Sequence, residues 1–342
     1  MTRIVLAIRG WAADVLDGWN RFWFQPADPA TLGLIRICAG AMLFYTHLVW
    51  GLELSTFFGP QGWLAPDAVH LLQKDTYSWS YLWWCESPAA LWTVHILALV
   101  VFAMLTVGLF SRVASILAFI AALAYVGRAP GALFGLDQIN VLLAMYLAVG
   151  PCGDAFSLDR WLKARKAGSP LPIRCSWSAN LAIRLIQVHM CIIYLFAGTA
   201  KLTGPAWWDG TALWMAVGNL EYQSLDMTWM AHWPRLINLM THVTVAWEIF
   251  YCALVWPRLS RPVVLLLAIP LHMGIAICLG MVTFGLAMLF GNLAFVSPAL
   301  VRSLWPGKSA GQGRAGESSH GTLTPISAKP SRPATAPNRP KR

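Results

Sequence analysis

Three ionisable side chains lie inside long apolar segments, where a charge is costly unless it has a partner or reaches water. Lys201 ends an almost charge-free segment that begins after Arg184, Glu248 lies within VTVAWEIFYCALVW, and His272 follows Pro270. A desolvated lysine can act as a general base. Glu248 must be protonated, paired across helices or in contact with water. These residue types point to proton-transfer chemistry in an apolar environment.

Each of the three residues also has a structural interpretation. Lys201 lies 17 residues after Arg184, or about 26 Å along a helix, so its side chain can extend to the headgroup layer. Glu248 fits a structural ion pair as well as a site, and His272 beside a proline can bond a nearby partner. The residues after Lys201 supply an aromatic segment with Trp207 and one carboxylate, Asp209.

The composition places these residues in a membrane protein. Of 342 residues, 57% are hydrophobic and only 12% are charged, against about 25% charged in soluble domains. The mean hydropathy is +0.56. The net charge of +10 does not indicate nucleic-acid binding, because the basic residues flank apolar segments or lie near the C-terminus. Seven cysteines without a CxxC pair predict neither a disulfide framework nor a metal site.

The apolar segments predict an all-α, polytopic membrane helix bundle with about eight spans. Residues 1–28 are expected to hold an interfacial amphipathic helix over 2–24, residues 29–301 the transmembrane domain, and residues 302–342 a disordered basic cytoplasmic tail. The third span is expected to be short, and a tight turn near Gly280 is expected to join the last two. The expected spans are about 30–50, 88–110, 113–128, 131–150, 180–202, 237–256, 262–280 and 282–300.

The basic residues predict the orientation of the bundle. With eight spans, 19 of the 25 basic residues lie on the side of both termini and three on the other. This bias predicts cytoplasmic termini in a multi-pass protein, and we place it in a bacterial inner membrane. Two Trp-rich outer segments, about 51–87 and 203–236, are then expected to cover the outer end of the bundle.

The remaining polar residues of the spans favour structural roles. Arg36 and Arg184 are expected to extend to the cytoplasmic headgroups. Asp137 is expected to cap the helix that follows it, since an aspartate accepts the free N–H groups of a first turn. Three histidines near the outer ends of their spans are expected to be bonded interface residues: His47, His95 and His242.

Four segments resemble a known family in the order in which they occur. They are FWFQPADPATLGLIRICAG, PCGDAFSLDRWL, YLFAGTAKLTGPAWWDG and IPLHMGIAICLGMVTFGLAM. The third is similar to a Tyr-x-x-Ala-Gly-x-x-Lys-Leu motif followed by Trp-x-acidic-Gly. Over about residues 20–300 the sequence resembles the HTTM (horizontally transferred transmembrane) domain, the membrane part of vitamin K-dependent γ-carboxylase.

The resemblance implies a role for Lys201. In the carboxylase the lysine of this motif is the proposed base that deprotonates vitamin K hydroquinone, whose oxygenation supports γ-carboxylation of a peptide glutamate. Lys201 matches that lysine, and His272 matches a family histidine. We therefore predict Lys201 as the catalytic base and Glu248, His272 and Trp207 as residues that bind a reduced quinone such as vitamin K hydroquinone.

A second interpretation is a non-catalytic membrane factor that binds a membrane or peptide partner and assists its maturation. LDQINVLL has no histidine where the carboxylase has Asn-Asn-His, and a tail is predicted in place of the carboxylase's lumenal domain. Lys201 would then form a structural ion pair with Glu248 or Asp209. Under either interpretation the surrounding partner is the lipid bilayer, and the ligand of the enzyme is a small lipid-soluble molecule.

Overall fold

The computed structural model describes residues 2–63 and 65–304, without the side chains of residues 2 and 3, and over these residues it is helical with no β-strand. A single isolated bridge joins Ala27 to Ser176. The α-helices are α1 (Thr2–Phe24), α2 (Ala30–Trp50), α3 (Leu54–Phe58), α4 (Pro66–Leu72), α5 (Pro88–Val107), α6 (Ser111–Arg128), α7 (Gly135–Val149), α8 (Leu158–Ala167), α9 (Trp177–Lys201), α10 (Pro205–Trp208), α11 (Ala212–Val217), α12 (Pro234–Leu254), α13 (Arg261–Cys278), α14 (Val282–Asn292) and α15 (Pro298–Leu304).

Six helices of the described chain are long and apolar enough to cross a bilayer, which confirms the all-α, polytopic prediction. They are α2 with its continuation to Phe58, α5, α6, α9, α12 and α13. They correspond to six of the expected spans. Apolar residues cover much of their outer surface as well as their core, as expected for helices whose solvent is lipid.

The fourth and eighth expected spans differ from the prediction in length and continuity. The third, α6, has 18 residues, whereas the fourth, α7, has only 15 and is the short one. In the eighth, the path of the chain bends by 117° between the segment Val282–Phe295 and helix α15. Pro298 begins α15, and a proline cannot continue the preceding helix, so the break has a local cause. The count of eight spans stays a prediction.

The long helices pack against one another to form the bundle. Helix α9 packs against α12 and α7, α2 against α5, and α13 against α14. Gly280 has a φ of +68° and makes the expected tight turn from α13 to α14.

The prediction that Arg36 extends to the headgroups is wrong: its side chain is buried and donates to the carbonyls of Leu105 and Phe156.

The two Trp-rich segments consist of short helices and turns. In the first, Ser80 donates to the carbonyl of Ala124 and Gln73 to that of Gly127, which docks this segment on the C-terminal end of α6. The second connects α9 to α12 and contains α10 and α11. Residues 302–304 of the predicted tail continue α15, and the rest of that tail lies outside the described residues.

Candidate functional site

Lys201 and Glu248 form an ion pair between α9 and α12. The Lys201 Nζ lies 2.7 Å from Oε2 and 3.0 Å from Oε1 of Glu248. The two side chains are 22% and 12% exposed, so the pair is largely removed from solvent. Of the two carboxylates considered for Lys201, the structure selects Glu248. Asp209 instead accepts hydrogen bonds from the hydroxyl and N–H of Thr211, which lower the pKa of this exposed carboxyl.

A glycine allows the two helices to approach closely enough to form this pair. Gly198 lies one turn before Lys201 on α9, and its surface is in contact with α12. A Cβ at this position would lie 2.8 Å from Cγ1 and 3.0 Å from the backbone nitrogen of Ile249. The residue next to Ile249 is Glu248, so the glycine of the AGTAK sequence sets the distance between the lysine and its carboxylate.

The segment after α9 folds back over the lysine. The Trp207 ring centroid lies 5.2 Å from the Lys201 Nζ, within the range of a cation–π contact. The Asn238 side chain on α12 donates to the carbonyl of Asp209 at 2.9 Å. Gly210 has a φ of +79° and leaves no room for a side chain beside Asn238. The sequence PAWWDG is therefore fixed against α12 with Trp207 over the ion pair.

The ion pair lines a cavity of about 440 Å³ between α12, α13 and the segment that contains α11. Its walls are mostly aliphatic, aromatic and methionine side chains, and Leu239, Val243 and Leu267 on these walls are exposed on the outer surface of the bundle. A cavity with these properties suits an apolar molecule that enters from lipid. The cavity is lined by all four site residues that the sequence predicted: Lys201, Trp207, Glu248 and His272.

His272 lines the cavity from α13 and is bonded to the core through its Nε2. Its Nε2 lies 2.7 Å from the hydroxyl of Tyr194 on α9. Asn292 of α14 donates to the same hydroxyl at 2.8 Å and accepts from the hydroxyl of Tyr251 on α12 at 2.7 Å. All four side chains are buried, and together they join four helices behind the cavity.

A comparison with protein families identifies the chain. The family model described as the HTTM domain matches residues 24–299, which is most of the sequence. The chain belongs to the HTTM domain family. No curated protein and no solved structure matches it. The membership and the six long apolar helices together make this an integral, multi-pass membrane protein.

Other polar residues of this HTTM domain have structural partners. Asp137 contributes to the cap of α7, but from the third residue of the helix and not from before it: it accepts a hydrogen bond from the N–H of Phe134 at 2.7 Å. The three histidines expected at the interface each have at least one bonded ring nitrogen, and two of them, His47 and His95, are buried in the bundle: His47 bonds the Leu43 carbonyl, His95 the Tyr125 hydroxyl, and His242 the carbonyls of Asn238 and Trp208. Among the described residues, no group of three or more His, Cys, Asp or Glu side chains could hold a metal ion.

Sequence reasoning missed three residues behind the HTTM cavity: Tyr194, Tyr251 and Asn292. Two weak signals were present. Tyr194 lies seven residues before Lys201, so both are on one face of α9, and Asn292 is a buried amide in an otherwise apolar helix. Neither signal names a partner, because the contacts join residues 41 to 98 positions apart.

Proposed function

We propose that the cavity binds a lipid-soluble molecule with a weakly acidic head group, of the quinol class, and that Lys201 is the base that deprotonates it. The observation that carries the proposal is the meeting of Lys201, Glu248, His272 and Trp207 on the wall of one apolar cavity of about 440 Å³. An apolar pocket with a few convergent polar groups is typical of a site for a small hydrophobic ligand. The family membership supports the same choice of ligand.

The ion pair gives the lysine a route to its neutral form. Lys201 carries a proton while it is paired with the Glu248 carboxylate, and a proton passed along the 2.7 Å contact leaves an amine and a carboxylic acid. Trp207 and an apolar ligand exclude water, which favours the pair without charges. The Lys201 amine then accepts the proton of the quinol hydroxyl. A quinol that reacts with O₂ after deprotonation yields the quinone epoxide and water.

The test is turnover by the purified full-length protein in lipid nanodiscs. Reduced 2-methyl-1,4-naphthoquinone is supplied with O₂, and the epoxide is quantified by chromatography. We expect product with the wild-type protein and a loss of at least 100-fold with Lys201→Ala, since a general base contributes about 10²–10⁴-fold. The control is Lys163→Ala, which removes an exposed lysine of α8. Absence of epoxide with wild-type protein, or equal rates in both variants, contradicts the proposal.

A non-catalytic membrane factor is the second candidate. It is supported by the ion pair between Lys201 and Glu248, because each charge already has a partner within the protein. In this case the pair only holds α9 to α12. The double variant Lys201→Met/Glu248→Leu removes both charges and separates the two candidates. A structural pair predicts that each single substitution lowers the melting temperature, that the double variant recovers it, and that wild-type protein forms no epoxide. The enzyme predicts epoxide formation by the wild type and none by the double variant.

A further inference from the structure

Four buried side chains form a continuous hydrogen-bonded chain that ends at the cavity. The chain runs from Tyr251 through Asn292 and Tyr194 to His272, with an oxygen–oxygen distance of 2.7 Å for the first contact and oxygen–nitrogen distances of 2.8 and 2.7 Å for the other two. Tyr194 is 1% and His272 4% exposed, and neither is used as a base in the proposed function. The order of donors and acceptors along this chain decides which nitrogen of His272 carries a proton.

The backbone carbonyl of Met288 fixes which atoms donate and which accept in this series of hydrogen bonds. One amide atom of Asn292 lies 2.9 Å from that carbonyl oxygen, which can only accept, so this atom is the Nδ2 donor. The same nitrogen donates to the Tyr194 hydroxyl, and the Asn292 Oδ1 accepts from Tyr251. The oxygen of Tyr194 therefore already accepts one hydrogen bond, and its own hydrogen is available to donate to the Nε2 of His272.

The opposite nitrogen of His272 is left without a partner. Within the described residues Nε2 is the one acceptor in contact with the Tyr194 hydroxyl, so this hydroxyl keeps a partner for its hydrogen when Nε2 accepts, and a neutral imidazole then carries its hydrogen on Nδ1. This nitrogen is buried and has no hydrogen-bond partner among the described residues. A buried donor without a partner is unfavourable, because it has lost its hydrogen bonds to water and nothing replaces them. His272 lines the cavity, so a ligand there can supply the missing acceptor.

We infer that Tyr194, Asn292 and Tyr251 hold His272 as an Nδ1–H donor for an oxygen of the cavity ligand, so that the cavity selects molecules with an acceptor oxygen over hydrocarbons of the same shape. The inference rests on the proposed function, because it concerns the same cavity. It adds a second recognition group, on α13, to the Lys201–Glu248 pair on α9 and α12. Tyr194 and Asn292 act through His272 and are positioning residues.

The tautomer is measured directly by ¹⁵N NMR of the full-length protein labelled at histidine. The His272 signals are assigned by their loss in His272→Gln. We expect the chemical shift of a protonated Nδ1 and an unprotonated Nε2 in wild-type protein. In Tyr194→Phe, which removes the hydroxyl that holds Nε2, we expect the protonated fraction to shift toward Nε2. An Nε2–H tautomer in the wild type, or no change in Tyr194→Phe, overturns the inference.

The selectivity is measured with two planar probes of the same carbon skeleton, 2-methyl-1,4-naphthoquinone, which has two acceptor oxygens, and 2-methylnaphthalene, which has none. Binding in nanodiscs is followed by the saturable change of tryptophan fluorescence, since Trp207 and Trp247 line the cavity. We expect His272→Phe to weaken binding of the quinone about three- to tenfold, the value of one hydrogen bond, and to leave the hydrocarbon unchanged. His70→Phe, an exposed histidine of α4, is the control.

The outcomes separate this inference from the proposed function. Epoxide formation that depends on Lys201, together with equal quinone affinity in wild-type protein and His272→Phe, overturns the inference and leaves the proposed function standing. Failure of the wild type to bind either probe overturns both. An equal loss of both probes in His272→Phe shows a packing role for the ring and also overturns the inference.

Discussion

At the scale of residues, the site depends on one buried ion pair and one oriented histidine. The sequence predicted Lys201 as a functional candidate and Glu248 as one of two possible partners, because a charge in an apolar segment needs a counter-ion. It could not choose between Glu248 and Asp209. That choice depends on the packing of α9 on α12 and on the bond from Thr211 that already occupies Asp209.

Neutralising the carboxylate of the pair should destabilise the protein. Glu248→Gln keeps the shape of the side chain but leaves the Lys201 ammonium with a neutral acceptor in a site that is mostly buried. We expect a loss of about 2 kcal/mol in the free energy of unfolding, the value of a hydrogen bond between charged groups, and a lower melting temperature in detergent. Glu86→Gln, an exposed residue, should melt like the wild type. Equal melting of both variants would show that the pair contributes nothing.

At the scale of elements, the site exists because α9 and α12 approach at Gly198 while α12 and α13 leave a cavity between them. The apolar segments predicted the positions of the long helices to within a few residues. They did not predict the short α7 or the break before α15, since hydropathy records how apolar a segment is and not whether the helix is continuous. The cavity arises from tertiary packing, which no single segment encodes.

The close contact at Gly198 should tolerate no side chain. In Gly198→Ala the new Cβ meets backbone and side-chain atoms of Ile249 at 2.8–3.0 Å, so α9 and α12 must separate. Overpacking of this kind costs about 1–3 kcal/mol, and we expect a lower melting temperature together with reduced epoxide formation. Gly18→Ala on α1 is the control, because nothing lies within 4 Å of a Cβ at that position and Gly18 is remote from the cavity lining. Should the two variants behave alike, Gly198 does not set the helix distance.

At the scale of the whole molecule, the distribution of charge predicts a cytoplasmic end and an outer end of the bundle. The Trp-rich segment 203–236 and the Lys201 cavity belong to the end where α9 finishes and α12 begins. Helix α8 and its connection to α9 belong to the opposite end. They carry five basic residues: Arg160, Lys163, Arg165, Lys166 and Arg174. This arrangement predicts that the cavity faces the outer half of the bilayer.

A native cysteine tests this orientation without altering the chain. Cys175, just before α9, is exposed, whereas the other cysteines of the described chain are buried or partly buried. After expression in a bacterial host, a membrane-impermeant maleimide should label Cys175 in inside-out membrane vesicles and not in intact spheroplasts. Cys175→Ser identifies the labelled residue. Labelling in spheroplasts would place the basic segment outside and contradict the predicted orientation.

The central claim, that the cavity beside Lys201 is a ligand site, is tested most directly by filling it. Gly274 lines the cavity and has open space around its Cβ position, so we expect a leucine there to add volume to the cavity wall. We predict that 2-methyl-1,4-naphthoquinone binds saturably to wild-type protein and to the control Gly18→Leu on α1. Gly274→Leu should bind it at least tenfold more weakly with an unchanged melting temperature. Equal affinity in all three proteins would contradict the claim.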